Sequence, residues 1–252
     1  MSFEVFDEGY NSREEMNFLL IAISLFLLER NWSSEELFQI QNASREYDLA
    51  VIVEPSGGDK SGNDSNVCRG PALVSITRKG AESPFQKLNM SNIEVHRDQI
   101  AFNSAIDNRP RKLYDDEHSF IFGDFNFDGK EDLAICNGRS GGYGAPSYSV
   151  FLYSEQSKQF VENKRLSRLT EGYLGLFFVD PRKRQIIAYW KSGCCYHETE
   201  IYNFVKNRPV IAERAIEKAI SENLIKTTTM TLRNGRWFRQ VRTVRSHQGD
   251  AE

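Results

Sequence analysis

From residue 45 onward the chain alternates short apolar, β-branched runs with clusters of Gly, Pro, Asn and Asp. Such spacing predicts strands separated by turns. Residues 48–53, 72–77, 86–95, 119–122, 133–136 and 148–153 read as strands, as do 175–179, 185–190, 198–204 and 237–244. Residues 210–224, with Ala212, Ala215, Ile216, Ala219 and Ile220 at helical spacing, predict one short helix. The expected fold is all-β, either a propeller-like array of small antiparallel sheets or a β-sandwich. Residues 36–252 are read as a single β domain.

The N-terminal 1–35 differ. Residues 17–28 form an unbroken apolar run between Glu15 and Glu29, too short for an ordinary transmembrane helix. The run fits the apolar centre of a signal peptide starting at Met16, which would place the protein in the periplasm. However, no Lys or Arg stands between Met16 and the run, and no small-x-small site follows Leu28. The alternative is a buried N-terminal helix and a cytoplasmic protein.

Candidate chemistry centres on residues 124–132. Oxygen-bearing side chains alternate at Asp124, Asn126 and Asp128, Gly129 permits a sharp turn, and Asp132 follows. Calcium takes six to eight oxygen ligands in a forgiving geometry. We expect Asp124, Asn126, Asp128 and Asp132 to ligate through side chains and Lys130 through its carbonyl. A helix-loop-helix hand needs a bidentate acid at the twelfth position, and Ile135 stands there. The apolar runs on both sides make this a loop between strands.

Composition narrows the function classes. Lys and Arg total 32 against 35 acidic residues, so the whole chain presents no basic field for nucleic acid. The 17 Phe and 10 Tyr suit strands and contact surfaces. Cys68, Cys136, Cys194 and Cys195 match no zinc spacing. One or both of Cys194 and Cys195 pair with Cys68 or Cys136 in an oxidising compartment, or the thiols stay free and buried. The adjacent pair is not expected to bond to itself.

For catalysis, Cys195 with His197 is the one neighbouring thiol and imidazole, and no activating group or oxyanion site can be read beside them. Asp115, Asp116 and Glu117 read as a solvated turn. We therefore expect no enzyme. Binding has better candidates: residues 139–146 hold three glycines around Tyr143, with Arg139 at the start, and Tyr196 and His197 form a second patch. Tyr and Arg are enriched among interface hot spots.

Residues 122–129 with Asp132 and Leu133 resemble the calcium loop of FG-GAP repeats in integrin-type propellers. Residues 141–152, Phe160, residues 166–169 and residues 191–197 resemble the bacterial periplasmic immunity proteins of antibacterial secretion systems; residues 68–72 are a further match. The resemblance covers residues 45–205. It implies a propeller-like fold, bound calcium, and a lysozyme-like, peptidoglycan-cutting effector as partner, inhibited by occlusion of its cleft. The alternative is an FG-GAP-type adhesion or carbohydrate-binding module.

Overall fold

The computed structural model describes residues 35–56, 66–98, 100–103 and 118–245. The apolar run 17–28, most of the polar loop after Pro55, and Asp115, Asp116 and Glu117 lie outside the described residues. From Glu36 onward the described residues belong to one compact unit.

The fold is all-β, with fifteen strands in three sheets among the described residues. The first sheet holds β1 (Glu36–Ile40), β2 (Tyr47–Val53), β3 (Val67–Arg78) and β4 (Gln86–His96) in sequential antiparallel order. The second holds β5 (Ala101–Asn103), β6 (Phe120–Gly123), β7 (Asp132–Gly138), β8 (Ser147–Ser154) and β9 (Gln159–Glu162). Its β5–β6 pair is parallel and the rest antiparallel. The third runs β10 (Phe178–Asp180), β11 (Gln185–Ser192), β12 (Tyr196–Val205), β13 (Arg208–Ser221), β14 (Leu224–Arg233) and β15 (Arg236–Arg245). Among the described residues no helix is long and apolar enough to cross a membrane.

Two apolar cores explain the sequence pattern. In the first core, Leu49, Val51, Val74 and Ile76 pack with Phe120, Phe122, Leu133, Ile135 and Tyr153 of the second sheet. In the second, Ile121, Ala134, Cys136, Tyr148 and Val150 meet Leu166, Phe177, Ile186 and Ala188. The second sheet is therefore the middle layer, with β6, β7 and β8 contributing to both cores. Its central strands β6 and β7 read as continuous apolar runs, whereas β2, covered on one face, alternates buried and half-buried residues along its length. A Phe-to-Ala change in such a layer costs about 3–5 kcal/mol.

One short α-helix, α1 (Lys164–Arg168), stands among the described residues; the Asn163 side chain accepts from the Arg165 and Leu166 N–H groups and caps it. The helix expected over residues 210–224 is instead β13, fourteen residues long, running into β14. The ladder with β12 overrides the helical spacing of its alanines and isoleucines.

Candidate functional site

The acidic loop joins β6 to β7, as expected. Phe125 and Phe127 anchor it by burying their rings in the second core. Phe127 (φ 65°) and Gly129 (φ 84°) take the left-handed conformations that fold the loop back. The Asp124 carboxylate accepts from the N–H groups of Asp128 at 3.0 Å and Gly129 at 2.9 Å, and Asp128 accepts from Lys130 N–H at 2.9 Å. Asn126 donates to Asp128 at 2.8 Å and to Asn207 at 3.3 Å, tying the loop to the β12–β13 turn. The Lys130 ammonium reaches Glu155 at 2.8 Å.

Asp132 opens β7 and is fully buried; its two oxygens accept from Phe125 N–H at 2.8 Å and Tyr153 N–H at 2.9 Å. Burial pushes its carboxyl up to about 8; these N–H groups pull the other way, and the nearby Asp128 and Asp124 charges add to the rise. Asp124 is raised for the same first reason, burial. The donor set is therefore hard oxygen, with one buried carboxylate whose neighbours are N–H groups and two further acids. That chemistry fits calcium. Among the described residues no three His, Cys, Asp or Glu side chains are grouped as metal ligands, and backbone N–H groups hold the loop together.

The glycine-rich loop between β7 and β8 carries Tyr143 on a 3-10 turn, Gly142–Gly144. Gly141 N–H donates to Ala145, Gly142 N–H to Tyr173 at 2.7 Å, and Gly172 N–H to Ser140. These contacts require glycine: a Cβ on Gly141 would lie 2.6 Å from the Ala145 carbonyl, and one on Gly142 2.8 Å from that of Gly172. Tyr173 is itself fixed, because its hydroxyl and that of Tyr202 both donate to the buried Glu200, which Arg214 also pairs. Clamped in this way, Tyr143 stands at φ 58°, ψ 28° with 63% of its surface exposed. Left-handed backbone is uncommon for a bulky residue.

The structure brings one member of the second patch, His197, to the Tyr143 surface and not the other, Tyr196. The Tyr143 hydroxyl accepts the N–H of Gly193 in the β11–β12 turn, and the Lys191 ammonium lies 4.9 Å from the centre of its ring. His197, exposed, pairs in register with Lys191. Strand alternation sends Tyr196 to the other face, where its ring meets Trp190 edge-on at 5.4 Å. The same turn corrects the expectation for the cysteines: Cys194 and Cys195 are bonded to each other, and Cys68 and Cys136 are buried in separate cores as thiols outside any disulfide. Burial likewise raises the Cys68 thiol, to about 11. With its sulfur in a disulfide, Cys195 offers His197 no thiolate.

Arg139 supports this loop from beneath. Its Nε donates to Glu94 at 2.8 Å, where Arg69 and His96 also converge at 2.8 Å. Glu94 is 1% exposed. Burial alone would raise its carboxyl, but hydrogen bonds to His96, Arg69 and Arg139 outweigh it and hold the group at about 2. Sequence reasoning missed Glu94, Arg69, His96, Lys191 and Trp190. Glu94 and His96, which Arg139 contacts, lie 45 and 43 residues earlier in the chain, and no local signal marks them.

No protein-family model matches the chain, and no curated protein matches it. The fold is similar to a solved structure described as that of a Xanthomonas Type IV Secretion System related protein. The TM-score is 0.69 at 26% identity, over 83% of this chain and 94% of that one.

Proposed function

We propose that this chain is a secretion-system-associated binding protein that inhibits a lysozyme-like peptidoglycan hydrolase. In this reading Tyr143 enters the hydrolase's active cleft. The observation that carries it is the presentation of Tyr143: a bulky, exposed aromatic held in left-handed backbone by a clamped loop. Left-handed backbone costs a non-glycine residue roughly 1–2 kcal/mol. Strain of this kind, kept at an exposed tip, fits a functional demand better than a folding one.

The chemistry suits an acidic cleft. Glycoside hydrolases work with paired carboxylates flanking the scissile bond. The phenol oxygen already accepts from Gly193 N–H, so its own O–H is left to donate to a catalytic acid. The Lys191 ammonium over the ring adds a positive charge beside it. His197 extends the same face, while Arg139 acts through the loop by its pairing with Glu94. Preorganisation of both loops reduces the entropy lost on docking. The likeness to the Xanthomonas protein and the motif resemblance support the same reading, and with it a periplasmic location.

Calcium belongs to this proposal as a structural ion. Asp124, Asn126, Asp128 and Asp132 would hold it with the Lys130 carbonyl. When bound, it would supply positive charge to the carboxylates of Asp124, Asp128 and Asp132 and stiffen the link between β6 and β7. An assay of peptidoglycan clearing tests the function: the purified chain should stop clearing by a lysozyme-like hydrolase delivered by a bacterial secretion system at near-stoichiometric amounts. Undiminished clearing at tenfold excess would rule the reading out.

A further inference from the structure

The last three strands leave the core. None of the residues of β13, β14 or β15 is buried, and every residue of β15 is exposed. β15 ends the third sheet, with β14 as its neighbour. The outer backbone edge of β15 therefore presents a row of N–H and C=O groups about 33 Å long, at about 3.3 Å per residue.

The charge on this edge is one-sided. Residues 224–245 contain Lys226, Arg233, Arg236, Arg239, Arg242 and Arg245 and no Asp or Glu, in a chain whose net charge is -3. Between the arginines stand exposed Trp237 (48%), Phe238 (55%), Val241 and Val244. Cations alone would serve to keep a sheet edge soluble. The interleaved aromatic and β-branched side chains do the opposite, since they add exposed apolar area that a soluble edge does not need. Alternation puts Trp237, Arg239 and Val241 on one face and Phe238, Arg242 and Val244 on the other. Both faces thus offer an apolar contact beside a positive charge.

The pattern also selects the occupant. Full-length antiparallel pairing with a second copy would set Arg236 against Arg245 and Arg239 against Arg242. Like charges directly opposite are destabilising. Nucleic acid or an anionic lipid surface would satisfy the arginines but not the alternating backbone donors and acceptors. An extended polypeptide satisfies both. We propose that β15 is a docking edge for an acidic, extended segment of a partner protein. The segment adds to the sheet as a seventh strand, with carboxylates against the arginines and apolar side chains against Trp237, Phe238, Val241 and Val244. This surface is separate from the Tyr143 site and does not rest on the function proposed for it.

The experiment uses the full chain and two fluorescein-labelled decapeptides, one alternating Glu and Val, the other Lys and Val. Anisotropy should show the acidic peptide binding at least about tenfold tighter, with the preference shrinking in high salt. The double variants Arg239→Glu/Arg242→Glu and Arg239→Gln/Arg242→Gln, on exposed positions, should melt like wild type and each lose about tenfold or more in affinity. Amide exchange at residues 237–245 should slow when the peptide is bound. Equal binding of both peptides, unchanged binding by the charge-reversed variant, or binding without protection of β15 would overturn the proposal. So would displacement of the acidic peptide by a single-stranded oligonucleotide or by phosphatidylglycerol vesicles at lower concentration, which would mark a general polyanion surface.

Discussion

The hydroxyl of Tyr143 accepts the backbone N–H of Gly193, fifty residues away in sequence, so the exposed ring is held from both ends. Its backbone is gripped by Gly142 and its neighbours against Gly172 and Tyr173, and its tip by the turn that carries the Cys194–Cys195 disulfide. A side chain fixed in this way loses little freedom when a partner closes over it.

Replacing Tyr143 separates strain from function. Both Tyr143→Gly and Tyr143→Ala lose the hydroxyl contact, but only alanine keeps a Cβ at φ 58°. The glycine variant should be the more stable of the two by about 1 kcal/mol, and the two should bind the hydrolase equally poorly. Thermal melting measures the first difference; the alanine variant melting at or above the glycine variant would contradict the strain.

Gly141→Ala tests the clamp without touching the exposed ring. Its Cβ would meet the Ala145 carbonyl at 2.6 Å and that of Tyr173 at 2.9 Å, both backbone atoms. Overpacking of this kind costs about 1–3 kcal/mol. The melting temperature should fall by several degrees, and affinity for the hydrolase should fall with it as Tyr143 loses its support.

Calcium should stabilise the folded chain. An ion that binds the native state alone adds about 2.7 kcal/mol at a hundredfold excess over its Kd. Wild type should therefore melt several degrees higher in calcium than in chelator, and Asp128→Ala should remove that difference. Calorimetric scans that coincide in calcium and chelator would refute the metal site.

Glu94 gives a pH signature. Its folded carboxyl is held at about 2, below the usual 4.5, so its ionised form favours the folded state. That stability is fully present above the usual carboxylate value and is lost as pH falls toward 2. The shift corresponds to about 3 kcal/mol. Glu94→Gln should be less stable than wild type at pH 7, and the gap should close between about pH 5 and pH 2. A gap independent of pH would show that the carboxylate charge is not what holds Arg69 and Arg139.

How much of this could be read from the residues depended on what covered them. The strands of the middle sheet were legible because burial on both faces demands unbroken apolar runs, as in Phe120, Ile121 and Phe122. β13 was not: with neither face buried, nothing forces alternation, and Ala212, Ala215, Ile216 and Ala219 fall at helical spacing by default. The threonine run at residues 227–229 and Thr231 was a β-branched signal for β14 that went unread. In the site, Tyr143 among its glycines could be found, since that motif is local. Its contact with Gly193, and the pairing of Arg139 with Glu94, are made by the fold and leave no trace in nearby residues. The bond between adjacent cysteines was missed because residues so close offer little loop to close.

The most direct measurement is titration calorimetry of the purified chain, wild type and Tyr143→Ala, against a lysozyme-like peptidoglycan hydrolase that the chain inhibits. If Tyr143 fills the cleft, wild type binds one to one, and the variant loses about 2 kcal/mol or more, roughly thirtyfold in Kd, with its calcium-dependent melting unchanged. An unaltered Kd for Tyr143→Ala would contradict the central claim and move the contact surface away from this loop.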